Sequence, residues 1–157
     1  MQIKPFLYAL VIPATLGVSS LAQADGEIPY ERLGGLLDQA EDFGFVGFEE
    51  ISVDDRTKLE IEGWRADGWK LELDVMIDDG RRIKEAMREA SAPAWALTRE
   101  RLNAALEAGR SAGVTHFSQL EVDRDGYIEV EGRDDGGREI EVRLNSADFS
   151  VIRIERD

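Results

Sequence analysis

Apolar positions along this chain recur in two periods, and the two periods alternate in a fixed order. Leu33, Leu36, Leu37 and Ala40 fall at helical spacing, and so do Leu102, Ala105, Leu106 and Gly109. After each helical stretch the apolar residues switch to every second position, the mark of half-buried strands. Ile51 with Val53, then Leu59 with Ile61, then Trp69, Leu71, Leu73, Val75 and Ile77 form one such series. Leu120 with Val122, Ile128 with Val130, and Ile140, Val142 and Leu144 form the other. A final edge strand carries Ile152 and Ile154, and its counterpart runs near Ile83. Turn chemistry separates the strands at Asp54-Asp55, Asp67-Gly68, Asp79-Gly80, Asp125-Gly126 and Gly136-Gly137.

The helix limits are also written locally. Thr98 suits an N-cap, with Glu100 in the first turn, and Leu97 and Leu102 are spaced as a hydrophobic staple. Gly113 ends that helix. Pro29 suits the first turn of the earlier helix, which Gly44 ends. Gly34-Gly35 weakens the earlier helix by roughly 1 kcal/mol per Gly relative to Ala, so packing must hold it.

A shift of 69 residues lays positions 31–88 over 100–157 without a gap and gives 15 identities in 58 positions. Among them are Glu31-Arg32-Leu33 on Glu100-Arg101-Leu102, Phe48 on Phe117, Val53-Asp54 on Val122-Asp123, and Gly63 on Gly132. The pattern predicts an α+β fold of two tandem units, each one helix packed on a small antiparallel sheet. The units would span 25–88 and 98–157, joined by a linker at 89–97 that contains Pro93 and Trp95. A unit of about 60 residues is marginal alone, so the two are expected to pack together, one continuous sheet being one way to do so.

Residues 1–24 differ from the rest. Lys4 is their one charge, an apolar run extends from Phe6 to Val18, and Ala22-Gln23-Ala24 closes the segment. This reads as a secretory signal peptide, too short and too interrupted by Pro13 for the roughly 20-residue span of a bilayer. The expected location is periplasmic or secreted. No Cys follows the run, which excludes lipid anchorage through one. The net charge of −14 becomes −15 without Lys4. Such a chain repels nucleic acid and anionic membranes, which are bound by clustered Lys and Arg. The absence of Cys also removes disulfides and thiol chemistry.

The stretch from Tyr127 to Arg143, Tyr-Ile-Glu-Val-Glu-Gly-Arg-Asp-Asp-Gly-Gly-Arg-Glu-Ile-Glu-Val-Arg, resembles the PepSY domain family. The earlier unit has the same look at Leu59–Gly63 and Gly68–Val75, with Asp78-Asp79-Gly80 and Ile83 as the family's last turn and strand. The later unit departs at Ala147-Asp148-Phe149, which lacks the usual Gly. The resemblance implies an exported, non-enzymatic binding or regulatory module, a fold similar to that of β-lactamase inhibitor proteins, and a partner among envelope or secreted proteins such as peptidases. It implies no catalytic residues and no cofactor.

The residues themselves hold little that looks catalytic. His116 is the only His, so neither a His cluster nor a Ser-His pairing stands out, and it reads as solvent-facing or partly packed. Asp123-Arg-Asp125-Gly126 lacks the ligand order of a calcium loop and reads as a turn. Strand alternation points instead to the sheet face opposite the helices. It places Glu60, Glu62 and Trp64 there, with Tyr127, Glu129, Glu131 and Arg133 from the other unit and Phe48 and Phe117 on the first strands. Lys70, Glu72, Glu139, Glu141 and Arg143 complete that face. Aromatics among carboxylates form a candidate partner site. The alternative use of the same acidity is a small ligand or divalent cation. Trp69 and Trp95 are expected to pack, the latter at the seam beside the linker.

Overall fold

The computed structural model describes residues 26–157, so the signal-peptide reading of 1–24 lies outside the described residues. The elements run β1 (Ile28–Pro29), α1 (Tyr30–Glu41), β2 (Phe45–Asp54), β3 (Lys58–Arg65), β4 (Trp69–Met76) and β5 (Arg82–Glu89). They continue with α2 (Arg99–Ala112), β6 (His116–Val122), β7 (Tyr127–Arg133), β8 (Glu139–Asn145) and β9 (Val151–Arg156).

The strands form one antiparallel sheet of nine, in the order β5-β4-β3-β2-β6-β7-β8-β9, with β1 added against β6. This overturns the expectation of two tandem helix-on-sheet units. The joint is the β2–β6 pair, with Glu50 opposite Glu121, Ile51 opposite Leu120 and Ser52 opposite Gln119. Each strand would otherwise end its half as a bare apolar edge with unpaired N–H and C=O groups, and pairing them removes both edges at once. The core is likewise continuous. Both helices lie on one face, and Leu33, Leu37, Leu102 and Ala105 share a single buried cluster with Ile51, Ile61, Leu73, Leu120, Val130 and Val142. Tyr30 of α1 packs edge-on against Phe117 of β6, centroids 5.9 Å apart, and its hydroxyl donates to the Leu106 carbonyl of α2. The helix of one half therefore covers strands of the other.

Local signals act as the sequence suggests. Thr98 accepts from the Arg101 amide at 3.3 Å and caps α2, and Gly113 ends it with φ at +119°. Pro29 precedes α1, which ends at Glu41 before Gly44 turns the chain with φ at +86°.

One device was not expected. β2 carries an irregularity between Phe48 and Glu50, and β6 carries the same between Phe117 and Gln119. Such a bulge reverses which face the following residues point to. Phe48 and Phe117 thereby turn inward and are fully buried, with 0% exposure. They belong to the core and not to the open face where unbroken alternation placed them.

The edge strands are thinly covered. All of β5 is exposed, as is nearly all of β9. Trp69, expected to pack, opens β4 at 40% exposure, because the buried row of that strand starts at Leu71. No helix among the described residues is long and apolar enough to cross a membrane.

Candidate functional site

The face opposite the helices is an ordered array of carboxylates. The register aligns Glu72, Glu62, Glu50, Glu121 and Glu129, each directly opposite the next across five adjacent strands. A second row runs Asp74, Glu60, Ser52, Gln119, Glu131, Glu141 and Glu155. Directly opposed like charges destabilise a sheet, so an arrangement of this kind needs a compensating charge.

The protein supplies compensation at both flanks but little in the middle. Lys70 pairs with Glu49 and with Glu62, the latter at 2.8 Å, and lies over the Trp64 ring. Lys84 pairs with Glu72, and Arg143 reaches Glu129 with its Nε at 2.8 Å. In the centre Glu50 receives one amide donor, Gln119 Nε2 at 3.1 Å. Among the described residues Glu60, Glu121, Glu131 and Glu141 make no ion pair.

The electrostatic result is a set of reluctant acids. Partial burial pushes Glu50 up to about 7, reinforced by Glu121, Glu62, Glu60 and Glu49. Glu131 is pushed up to about 7 in the same way, by burial and then by Glu141, Glu129, Glu121 and Glu139. Glu121 and Glu141 are raised too, again first by burial. Each of these groups would be stabilised as an anion by an incoming positive charge. A groove of about 270 Å³ opens at the Glu131 end, lined by Glu27, Ser118, Glu131, Arg133, Glu141 and Arg156 among others.

Of the sequence-derived site residues, Glu60, Glu62, Glu129 and Glu131 lie on this face as expected. Tyr127 is 40% exposed, with Arg143 over its ring, and is the one aromatic group from that set with an open surface. Arg133 is engaged with Glu27 at 2.8 Å and Glu139 at 3.3 Å at the rim of the groove. Phe48 and Phe117 are core residues. Trp64 has the parity of the open face but is only 4% exposed. The linker folds back over it and places Trp95 edge-on to its ring, while Leu97 exchanges backbone hydrogen bonds with Phe48 at 2.7 and 3.0 Å. Trp64 is therefore no anchor for a partner. His116 is exposed at the start of β6.

Glu50, Glu121, Asp74 and Gln119 were missed as site residues. The signal for Glu50 and Glu121 was plain alternation, since each stands between or beside inward residues, Ile51 and Val53 in one strand and Leu120 and Val122 in the other. Val53 and Ile51 set an inward phase in which Glu49 would point inward and Phe48 outward. An inward charge beside an outward Phe demands a phase shift, and Val122 and Leu120 likewise set a phase that would turn Ser118 inward and Phe117 outward.

No family model matches the chain. No curated protein matches it either. A solved structure described as a "putative lipoprotein" from Clostridium difficile 630 is similar over 87% of this chain and 98% of that one, at 14% identity and a TM-score of 0.42. A likeness at that score carries no argument about fold or function.

Proposed function

We propose that the protein is an exported, non-enzymatic binding module whose acidic sheet face receives a basic segment of an envelope or secreted protein. The observation that carries this reading is the uninterrupted row Glu72-Glu62-Glu50-Glu121-Glu129, whose central members Glu50 and Glu121 have no cationic partner among the described residues. A partner's Lys and Arg side chains would relieve the repulsion along the row and lower the raised carboxyls, so that binding energy comes from charge the fold leaves uncompensated. The groove beside Glu131 would seat a basic side chain, and Tyr127, at the opposite end of β7, would offer a separate aromatic contact. The reading rests on this face and not on the PepSY resemblance. A peptidase with a basic surface belongs to the expected partner class, and the signal-peptide pattern supports the exported setting.

The test is chemical crosslinking of the protein in envelope extract at about 0.15 M NaCl, where exposed charges beyond roughly 8 Å are screened. Wild type is compared with the triple variant Glu50→Gln, Glu121→Gln, Glu131→Gln. A protein with a basic surface captured by wild type and lost with the variant supports the assignment, and it becomes the target of an inhibition assay. Equal capture by both would remove the acidic face from the binding site.

A further inference from the structure

At the β3–β4 end of the acidic face three carboxylates converge in a way that the rest of the row does not share. One oxygen each from Glu60, Glu72 and Asp74 lies within 4.8 Å of the others. Glu60 and Asp74 are directly opposite in the β3–β4 pair, and Glu72 stands two residues before Asp74 on the same face. Acidic residues often gather on a surface without consequence, but Asp74 is different in kind. It is 5% exposed, and its Oδ1 is buried with no hydrogen-bond partner among the described residues. A buried carboxylate oxygen without a donor is costly, because nothing replaces the water hydrogen bonds it has given up. Its other oxygen is only distantly served, by Lys58 Nζ at 3.5 Å.

The surrounding charges leave a deficit of the right size. Lys58 has Asp54 as its close partner, and Lys84 has Glu72. Four carboxylates, Asp54, Glu60, Glu72 and Asp74, thus face two ammonium groups, which leaves two negative charges uncompensated. Neither lysine donates to Asp74 Oδ1. Lys84 comes from the exposed edge strand β5, and its side chain is half-exposed, so it can leave Glu72 without disturbing the core.

We propose that Glu60, Glu72 and Asp74 form a binding site for a hard divalent cation of the calcium or magnesium type. Three carboxylates with no nitrogen or sulfur donor are the ligand chemistry of those ions, and water completes their coordination shell. The ion gives Asp74 Oδ1 the partner it lacks, and Lys84 swings into solvent as Glu72 turns to the metal. This site does not depend on the protein-partner reading. It lies at one end of the face, and its occupancy is measured with no partner present.

Isothermal titration with CaCl2, and separately with MgCl2, tests the site at about 0.15 M NaCl, where diffuse attraction to the acidic face is screened. The expected result is saturable binding of one ion per chain, with a dissociation constant at or below about 1 mM, the range of extracellular calcium modules. Asp74→Asn and Glu72→Gln should each weaken binding at least tenfold, while Glu141→Gln, on the far half of the same face, leaves it within twofold. Lys84→Ala should tighten it, because the competing ammonium is gone. Circular dichroism of each variant confirms the fold. Absence of saturable binding to the wild type, or equal weakening by Glu141→Gln and Asp74→Asn, would overturn the site.

Discussion

The indole of Trp64 meets that of Trp95 edge to face, with ring centroids 5.3 Å apart and planes at 83°. This pair fastens the linker to the open side of the sheet. Trp64 is 4% exposed, so Trp64→Ala should cost about 3–5 kcal/mol of stability, as for other large buried aromatics. Tyr127→Ala, at an open position, should stay within about 1 kcal/mol of wild type. Urea denaturation of the two variants separates a packing residue from a surface one.

Gly63 and Gly132 occupy equivalent places in β3 and β7. A Cβ at Gly63 would run into the carbonyl oxygen of Gly47, and one at Gly132 into that of His116. Those obstacles are backbone and cannot swing aside. Gly63→Ala and Gly132→Ala should each destabilise by about 1–3 kcal/mol, the usual range for overpacking. Gly137→Ala, where no atom lies within 4 Å of the added carbon, serves as a comparison that carries backbone strain alone, since φ there is +75°. Denaturation midpoints decide the order.

The shared core predicts a single unfolding transition. All three tryptophans, Trp64, Trp69 and Trp95, precede α2, so their fluorescence reports on the first half of the chain. Phe117→Ala lies in β6 and should cost about 3–5 kcal/mol. It should move the fluorescence and far-ultraviolet circular dichroism midpoints together. Separated transitions would mean that the two halves fold independently.

Stability should rise as the solution is made mildly acidic. Glu50 and Glu131 are raised from 4.5 to about 7 in the folded chain. A carboxyl with a raised folded value favours the native state while protonated. Its contribution is complete below 4.5 and disappears as pH climbs through 7. After discounting for solvent screening, each is worth on the order of 1 kcal/mol between about pH 8 and pH 5. The sign reverses in stronger acid. Asp134 is held below its usual 3.8 by hydrogen bonds from Arg138 and the backbone, and Asp148 by Ser150; their contributions are present above 3.8 and are lost as pH falls below it. Urea midpoints measured from about pH 8 downward in EDTA should therefore climb toward pH 5 and then drop.

Much of this architecture was legible in the chain. Helical and alternating periods located both long helices, every main strand and the Thr98 and Gly113 caps, and the turn dipeptides marked the hairpins. Which strands join the halves was not legible, because the pairing of Glu50 with Glu121 is a contact between distant strands that no local pattern encodes. The bulges put Phe48 and Phe117 on the side opposite to the one that unbroken alternation gives them, while Glu50 and Glu121 keep the phase set by Ile51 and Leu120. Trp64 was misplaced because alternation gives a side of the sheet but not what covers it, and the cover here is a linker without periodicity. The four carboxylates named on β3 and β7 were placed on the correct face because those strands run without interruption.

If the acidic row awaits a cationic partner, as proposed, it is kept at a cost to stability. The urea midpoint of Glu50→Gln, Glu131→Gln at about pH 7.5, where both native carboxyls are mostly ionised, tests this most directly. Removing charges that repel should raise stability by about 1–2 kcal/mol over wild type after screening, and the difference should vanish near pH 5. A variant less stable than wild type at pH 7.5 would show that these carboxylates hold the fold together, and the face would lose its standing as a site in wait of a positive partner.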